Sequence, residues 1–76
     1  MMPIRPTHYK IQVKVFEKAG CKYVRTKGDH LIYRFPEAIR PIIIPKYSEV
    51  PVFIIKNNMR IINMSNEEYL QLLQEV

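Results

Sequence analysis

The pair Gly28-Asp29, set between two runs rich in β-branched and aromatic residues, is the feature that most restricts the folds open to this chain. Glycine takes a positive φ without a Cβ penalty and aspartate tolerates turn geometry, so the pair predicts a tight hairpin corner. Residues 22–27 then read as one strand and residues 30–35 as the next. Alternation along the second strand puts Leu31, Tyr33 and Phe35 on one face and His30, Ile32 and Arg34 on the other. If the first set packs inward, His30 stands at the rim of the sheet on its open side.

The flanking segments supply the cover. Pro3 and Pro6 hold residues 1–6 extended, and Thr7 is the expected N-cap of a helix over residues 8–19. In that helix Ile11, Val15 and Ala19 share a face with Phe16 at its edge, Lys10, Lys14 and Lys18 form a stripe opposite, and Gly20 ends it. His8 lies on the apolar side of the first turn, where an end-of-helix packing role is expected. Pro36 opens a second turn, and residues 39–44 predict a third strand at a sheet edge, because Pro41 has no N–H to donate. After a linker over 45–51, Pro51 suits the start of a helix over 52–62. Its packing face is Val52, Ile55, Met59 and Ile62; Lys56, Asn57 and Arg60 lie away from it, with Phe53 among them. Ser65 and Glu68 form a capping-box pattern before a third helix that packs through Tyr69, Leu72, Leu73 and Val76.

The expected fold is therefore α+β: a helix, a three-stranded antiparallel meander, a helix and an extra C-terminal helix. Its expected core is Ile11, Val15, Phe16, Val24, Ile55, Met59, Ile62, Tyr69 and Leu72. The order resembles the double-stranded-RNA-binding fold, in which two helices cover one face of a meander. A length of 76 residues predicts a single domain over 1–76. The apolar runs are too short to span a bilayer and the start lacks the apolar core of a signal peptide, so a cytosolic protein is expected. Cys21, alone, forms no internal disulfide and reads as a small core residue.

A formal net charge of +5 favours a polyanionic partner. The lysine stripe by itself reads first as a solvated face. The second basic set, Lys22, Arg25, Lys27 and Arg34 on the adjoining strands, is what strengthens the case for a polyanionic partner. Metal chemistry has little to work with: Asp29 is the only acid near the corner, and there is no Cys/His ligand set, Walker loop or Ser-His-Asp arrangement. No metal and no cofactor are expected.

Four pieces of the chain, Lys18-Ala19-Gly20, Val24-Arg25-Thr26-Lys27-Gly28-Asp29-His30-Leu31-Ile32-Tyr33-Arg34, Ile42-Ile43-Ile44-Pro45 and Val50-Pro51-Val52, together resemble the HicA/YcfA-like family. These are small RNA-cleaving toxins, mRNA interferases, of the HicAB toxin-antitoxin systems. The likeness runs from Tyr9 to about Leu73, with two departures: Asp29 stands where Ser is commoner, and Val52-Phe53 where Gly-Thr is frequent. The resemblance implies a metal-independent endoribonuclease acting on single-stranded or messenger RNA. It implies His30 as the catalytic residue, and a HicB-type antitoxin that covers the hairpin corner and holds the toxin inactive. RNA carries its own nucleophile in the 2′-hydroxyl, so one imidazole with nearby cations can suffice. His30 would accept that proton, and Lys27, Arg25 or Arg34 would offset charge growing on the phosphate. The product would be a 2′,3′-cyclic phosphate. The donor to the leaving 5′-oxygen stays open among His30, Tyr33 and Lys27. Lys10, Lys14, Lys18, Arg25, Lys27 and Arg34 are the expected RNA-binding residues.

Without the resemblance, His30 reads as a turn residue hydrogen-bonded to backbone. Two other classes also remain: a non-catalytic RNA-binding module of the same fold, which would tolerate loss of His30, and a protein-interaction domain that uses Phe53 and the short apolar patches.

Overall fold

The hairpin corner forms at Gly28. In the computed structural model, which describes residues 3–76, β1 (Lys22–Lys27) and β2 (His30–Arg34) pair antiparallel across it. Gly28 has φ of 59° while Asp29 keeps a negative φ. A positive φ at the first central residue alone is the type II′ pattern, whose twist matches that of the flanking strands. β3 (Ile42–Pro45) adds antiparallel to β2, in the order β1-β2-β3. It begins later than the alternation suggests: Ile39 is 95% exposed, and Pro41, which cannot donate to a ladder, delays pairing to the next residue. The carbonyl of Asp29 accepts the N–H of Lys46 at 2.7 Å, which fastens the corner to the chain leaving β3.

α1 (Tyr9–Lys18) is capped by His8 and not by Thr7: His8 Nδ1 accepts the N–H of Lys10 at 3.1 Å. Thr7 is committed elsewhere. Its carbonyl accepts from the N–H of Val50 at 2.6 Å in an isolated bridge, and its hydroxyl accepts from Gln12 Nε2 at 2.7 Å. Of the expected arm over 1–6, Met1 and Met2 lie outside the described residues, and Ile4 packs against the core. α1 closes at Gly20, φ 110°, where the N–H groups of Gly20 and Cys21 donate to the carbonyls of Glu17 and Phe16 at 3.0 and 2.9 Å. α2 (Val52–Ile61) closes the same way on Asn63, φ 57°, with Met64 N–H on the Met59 carbonyl at 2.8 Å. Both are Schellman turns, which use a left-handed residue to satisfy carbonyls at a helix end. α3 (Asn66–Glu75) starts with the expected capping box, Ser65 and Glu68 bonding reciprocally at 2.8 and 3.1 Å.

The helices cover one face of the sheet. Val15 and Phe16 of α1, Ile42 and Ile44 of β3, Ile55 of α2 and Tyr69 of α3 meet there with no exposed surface, and Met59 is nearly as buried. Ile11, Ile62, Leu72 and Leu73 are half-buried around this centre, while Val76 is exposed. Gln12, also buried, donates through Nε2 to the hydroxyls of Thr7 and Tyr69 at 2.7 Å each and so ties α1 to α3 and to the Thr7 bridge. Val24 departs from expectation. It is 46% exposed, because Tyr23 pairs with Tyr33 but Arg25 with Ile32, leaving Val24 as the extra residue of a β-bulge.

Burial raises three protons out of their ordinary range. It pushes the Cys21 thiol from 9.0 up to about 11. Tyr69 rises for the same cause, and Tyr33 rises through burial and then through its hydrogen bond to Glu17. Each fold-favoured form is the protonated one, so the stability they contribute is complete below the unfolded values and drains away as pH rises through the folded ones. The melting temperature should hold up to about pH 9 and fall between there and about pH 11, less steeply in Cys21→Ala. A melting temperature flat across that interval would contradict the burial of these groups.

Candidate active site

Directly paired residues share a sheet face, so the ladder sorts the side chains. Tyr33, Ile42, Leu31 and Ile44 face the helices; His30, Ile32, Ile43 and Arg34 face away. On β1 the partners of the outward set are Lys27, Arg25 and Lys22. The bulge makes this possible. It turns Tyr23 to the helix side, where its ring meets that of Tyr33 edge-on at 5.6 Å, and brings Lys22 onto the same face as Arg25 and Lys27. The open face thus carries three rows: Lys27 with His30 at the corner, then Arg25 with Ile32 and Ile43, then Lys22 with Arg34. Arg34 is four residues along the strand from His30, roughly 13 Å at ~3.3 Å per residue.

α2 lies along the free edge of β3. Asn58, buried in that contact, donates through Nδ2 to the carbonyl of Ile43 at 2.9 Å, and its Oδ1 accepts the N–H of Ile43 at 3.4 Å. The side chain does for Ile43 what another strand would do, and blunts the edge. The outer side of α2 then stands as a wall beside the open face. Between them runs a cleft of about 650 Å³, lined among others by His30, Ile43, Phe53, Lys56 and Arg60, with Arg40 at its side. His30 also lines a smaller depression at the hairpin with Lys27, Gly28 and Asp29. His30 and Ile43 are common to both, and His30 is the titratable one.

The two histidines differ in their commitments. His8 caps α1 and stacks on Tyr9 at 4.8 Å. His30 is exposed, and among the described residues no side-chain hydrogen bond uses its ring. Tyr33 is turned away from His30, and its hydroxyl donates to Glu17 Oε2 at 2.9 Å. Lys10, Lys14 and Lys18 lie on α1, which packs on the covered side of the sheet, so the structure does not bring the stripe to His30. Lys18 pairs with Glu75 at 3.4 Å, the one ion pair among the described residues. No group of three His, Cys, Asp or Glu among the described residues could hold a metal ion.

A protein-family model described as HicA toxin of bacterial toxin-antitoxin matches residues 9–64. The chain belongs to the HicA toxin family. No curated protein matches it. The HicA match runs from the first residue of α1 through the turn that closes α2, and so contains the hairpin, His30 and the cleft; α3 lies beyond it. Membership in a toxin-antitoxin family implies an antitoxin partner. No helix among the described residues of this HicA toxin is long and apolar enough to cross a membrane. The HicA chain also has cations that sequence reasoning left out of its site, namely Arg40, Lys56 and Arg60. Periodicity put Lys56 and Arg60 on the outer side of α2. Only the seating of α2 on the β3 edge brings that side to the wall shared with His30.

Proposed function

We propose that this HicA-family toxin acts as a single domain in the cytosol as a metal-independent endoribonuclease, with His30 as general acid/base and a HicB-type antitoxin as its restraint. The observation that carries the reading is the row of Lys27 and His30 at the exposed hairpin rim, on a face whose other charged side chains are Lys22, Arg25 and Arg34. His30 takes the proton from the 2′-hydroxyl as its oxygen bonds to phosphorus. The bond from phosphorus to the 5′-oxygen then breaks, and that oxygen receives a proton from the His30 imidazolium or from Lys27. Tyr33, engaged with Glu17 on the other face, is left out of this role. Lys27 and Arg25, in the two rows nearest the corner, offset charge on the phosphate, whereas Arg34 serves a phosphate further along. Lys10, Lys14 and Lys18 add long-range attraction to RNA without reaching the reacting bond. An antitoxin that covers the corner blocks access to His30, and acidic groups on it would speed association with the basic face.

The ends left by cleavage test this chemistry. With excess chelator present, the toxin should still cut a mixed-sequence RNA, leaving 2′,3′-cyclic phosphate and 5′-hydroxyl ends. A single 2′-deoxy nucleotide at the cut position should abolish that cut. Cleavage at the deoxy position would mean that another nucleophile is used, and RNA binding without any cleavage would leave a binding module instead of an enzyme.

A further inference from the structure

The cleft between α2 and the open face is lined by an exposed aromatic, several cations and no carboxylate. Phe53, on the first turn of α2, is 73% exposed and shares the wall with Lys56 and Arg60; Arg40 and Tyr47, the latter 45% exposed, complete it. A lone surface aromatic needs no explanation. This one lines a concave, acid-free cleft that His30 also lines. A flat apolar ring beside positive charge matches a nucleotide, which offers a base face and a phosphate a short distance apart. Cationic grooves with aromatic platforms are how single strands are held without sequence preference. A duplex cannot use such a platform, since its base faces are already stacked. The volume of about 650 Å³ falls within the range of about 300–1,000 Å³ usual for a small-ligand pocket.

We propose that this cleft is a nucleotide subsite, in which Phe53 stacks on an unpaired base next to the phosphate at His30 while Arg40, Lys56 and Arg60 hold neighbouring phosphates. The toxin then requires a single-stranded segment at the cut. The proposal rests on the ribonuclease reading for its substrate, but its test does not depend on cleavage.

The probe is a fluorescein-labelled single strand of 2′-O-methyl RNA, which binds but lacks the free 2′-hydroxyl, alongside a blunt duplex of the same sequence. Phe53→Ala should weaken single-strand binding by about 5- to 150-fold, the range for loss of one base–aromatic stack. It should leave both duplex binding and the salt slope unchanged, and Phe53→Trp should restore affinity. Lys56→Ala with Arg60→Ala should flatten the single-strand salt slope by about 0.7 per charge removed. Wild-type single-strand affinity in a folded Phe53→Ala would overturn the subsite. So would equal losses on single strand and duplex. If Phe53→Ala keeps its RNA affinity but no longer binds its antitoxin, the cleft is a protein-docking site and the proposal fails. A His30→Ala variant that still cuts would reject the catalytic reading and leave the Phe53 result standing by itself.

Discussion

His30→Ala is expected to slow RNA cleavage by about 10²–10⁴-fold, the usual cost of losing a general acid or base. The size of the effect follows from its surroundings. Of the side chains at the hairpin rim, the imidazole is the one whose two ring nitrogens can both accept and donate a proton; Lys27, paired directly opposite, is a cation that can donate, and Asp29 is the sole acid at the corner. Binding should change far less, because the proposed phosphate contacts would be spread over the rows of Lys22, Arg25, Lys27 and Arg34. Stability should hardly change either, since the ring is exposed. His8→Ala provides the contrast. That change removes the cap of α1, a loss typically worth about 1 kcal/mol, while cleavage per folded molecule stays at the wild-type level. The comparison is gel-based cleavage beside an affinity measurement and a circular-dichroism melt on the three proteins. A folded His30→Ala that cuts at the wild-type rate rejects the mechanism. Loss confined to His8→Ala would move the chemistry to the other histidine.

Phe16→Ala should abolish activity by a different route. Phe16 is fully buried where α1 meets the sheet, and removing such a ring costs about 3–5 kcal/mol in transfer energy and residual cavity. A single core in a chain of this size rarely supplies more than about 3–5 kcal/mol of net stability, so the isolated variant should be largely unfolded at 25 °C. Binding to a partner adds to stability by mass action, about 2.7 kcal/mol at a hundredfold excess over Kd. Co-expression with the antitoxin should therefore recover folded variant that is lost again when the complex is separated. Urea melts of wild type and variant, alone and in complex, read this directly. A variant that unfolds within 1 kcal/mol of wild type would mean that the core closes over the missing ring, and that Phe16 is not what holds α1 in place.

Much of this molecule was legible in the chain because the signals are local. Gly28-Asp29 specifies its corner through the φ that glycine can take, the Ser65–Glu68 capping box starts α3 within four residues, and alternation along β2 puts His30 on the side opposite Tyr33. Each depends on neighbours a few bonds away. The resemblance that picked out His30 is likewise carried by short contiguous pieces, and the family match covers them. Other features depend on groups distant in sequence. Thr7 looked like the cap of α1 until its carbonyl was claimed by Val50 and its hydroxyl by Gln12, which left His8 to cap the helix. Val24 looked like a core residue until the pairing with β2 made it the bulge, and the same bulge turned Lys22 toward the open face. Nothing near residues 56 and 60 announces that Asn58 will replace a missing strand at Ile43 and so bring Lys56 and Arg60 to the cleft that His30 also lines. The amino-acid sequence by itself determined the corner, the helices, the basic balance and the place of His30 on the open face. Which cations share a wall with that histidine was decided only by tertiary structure, because strand register and the seating of a helix on a sheet edge are settled by contacts between residues far apart in the chain.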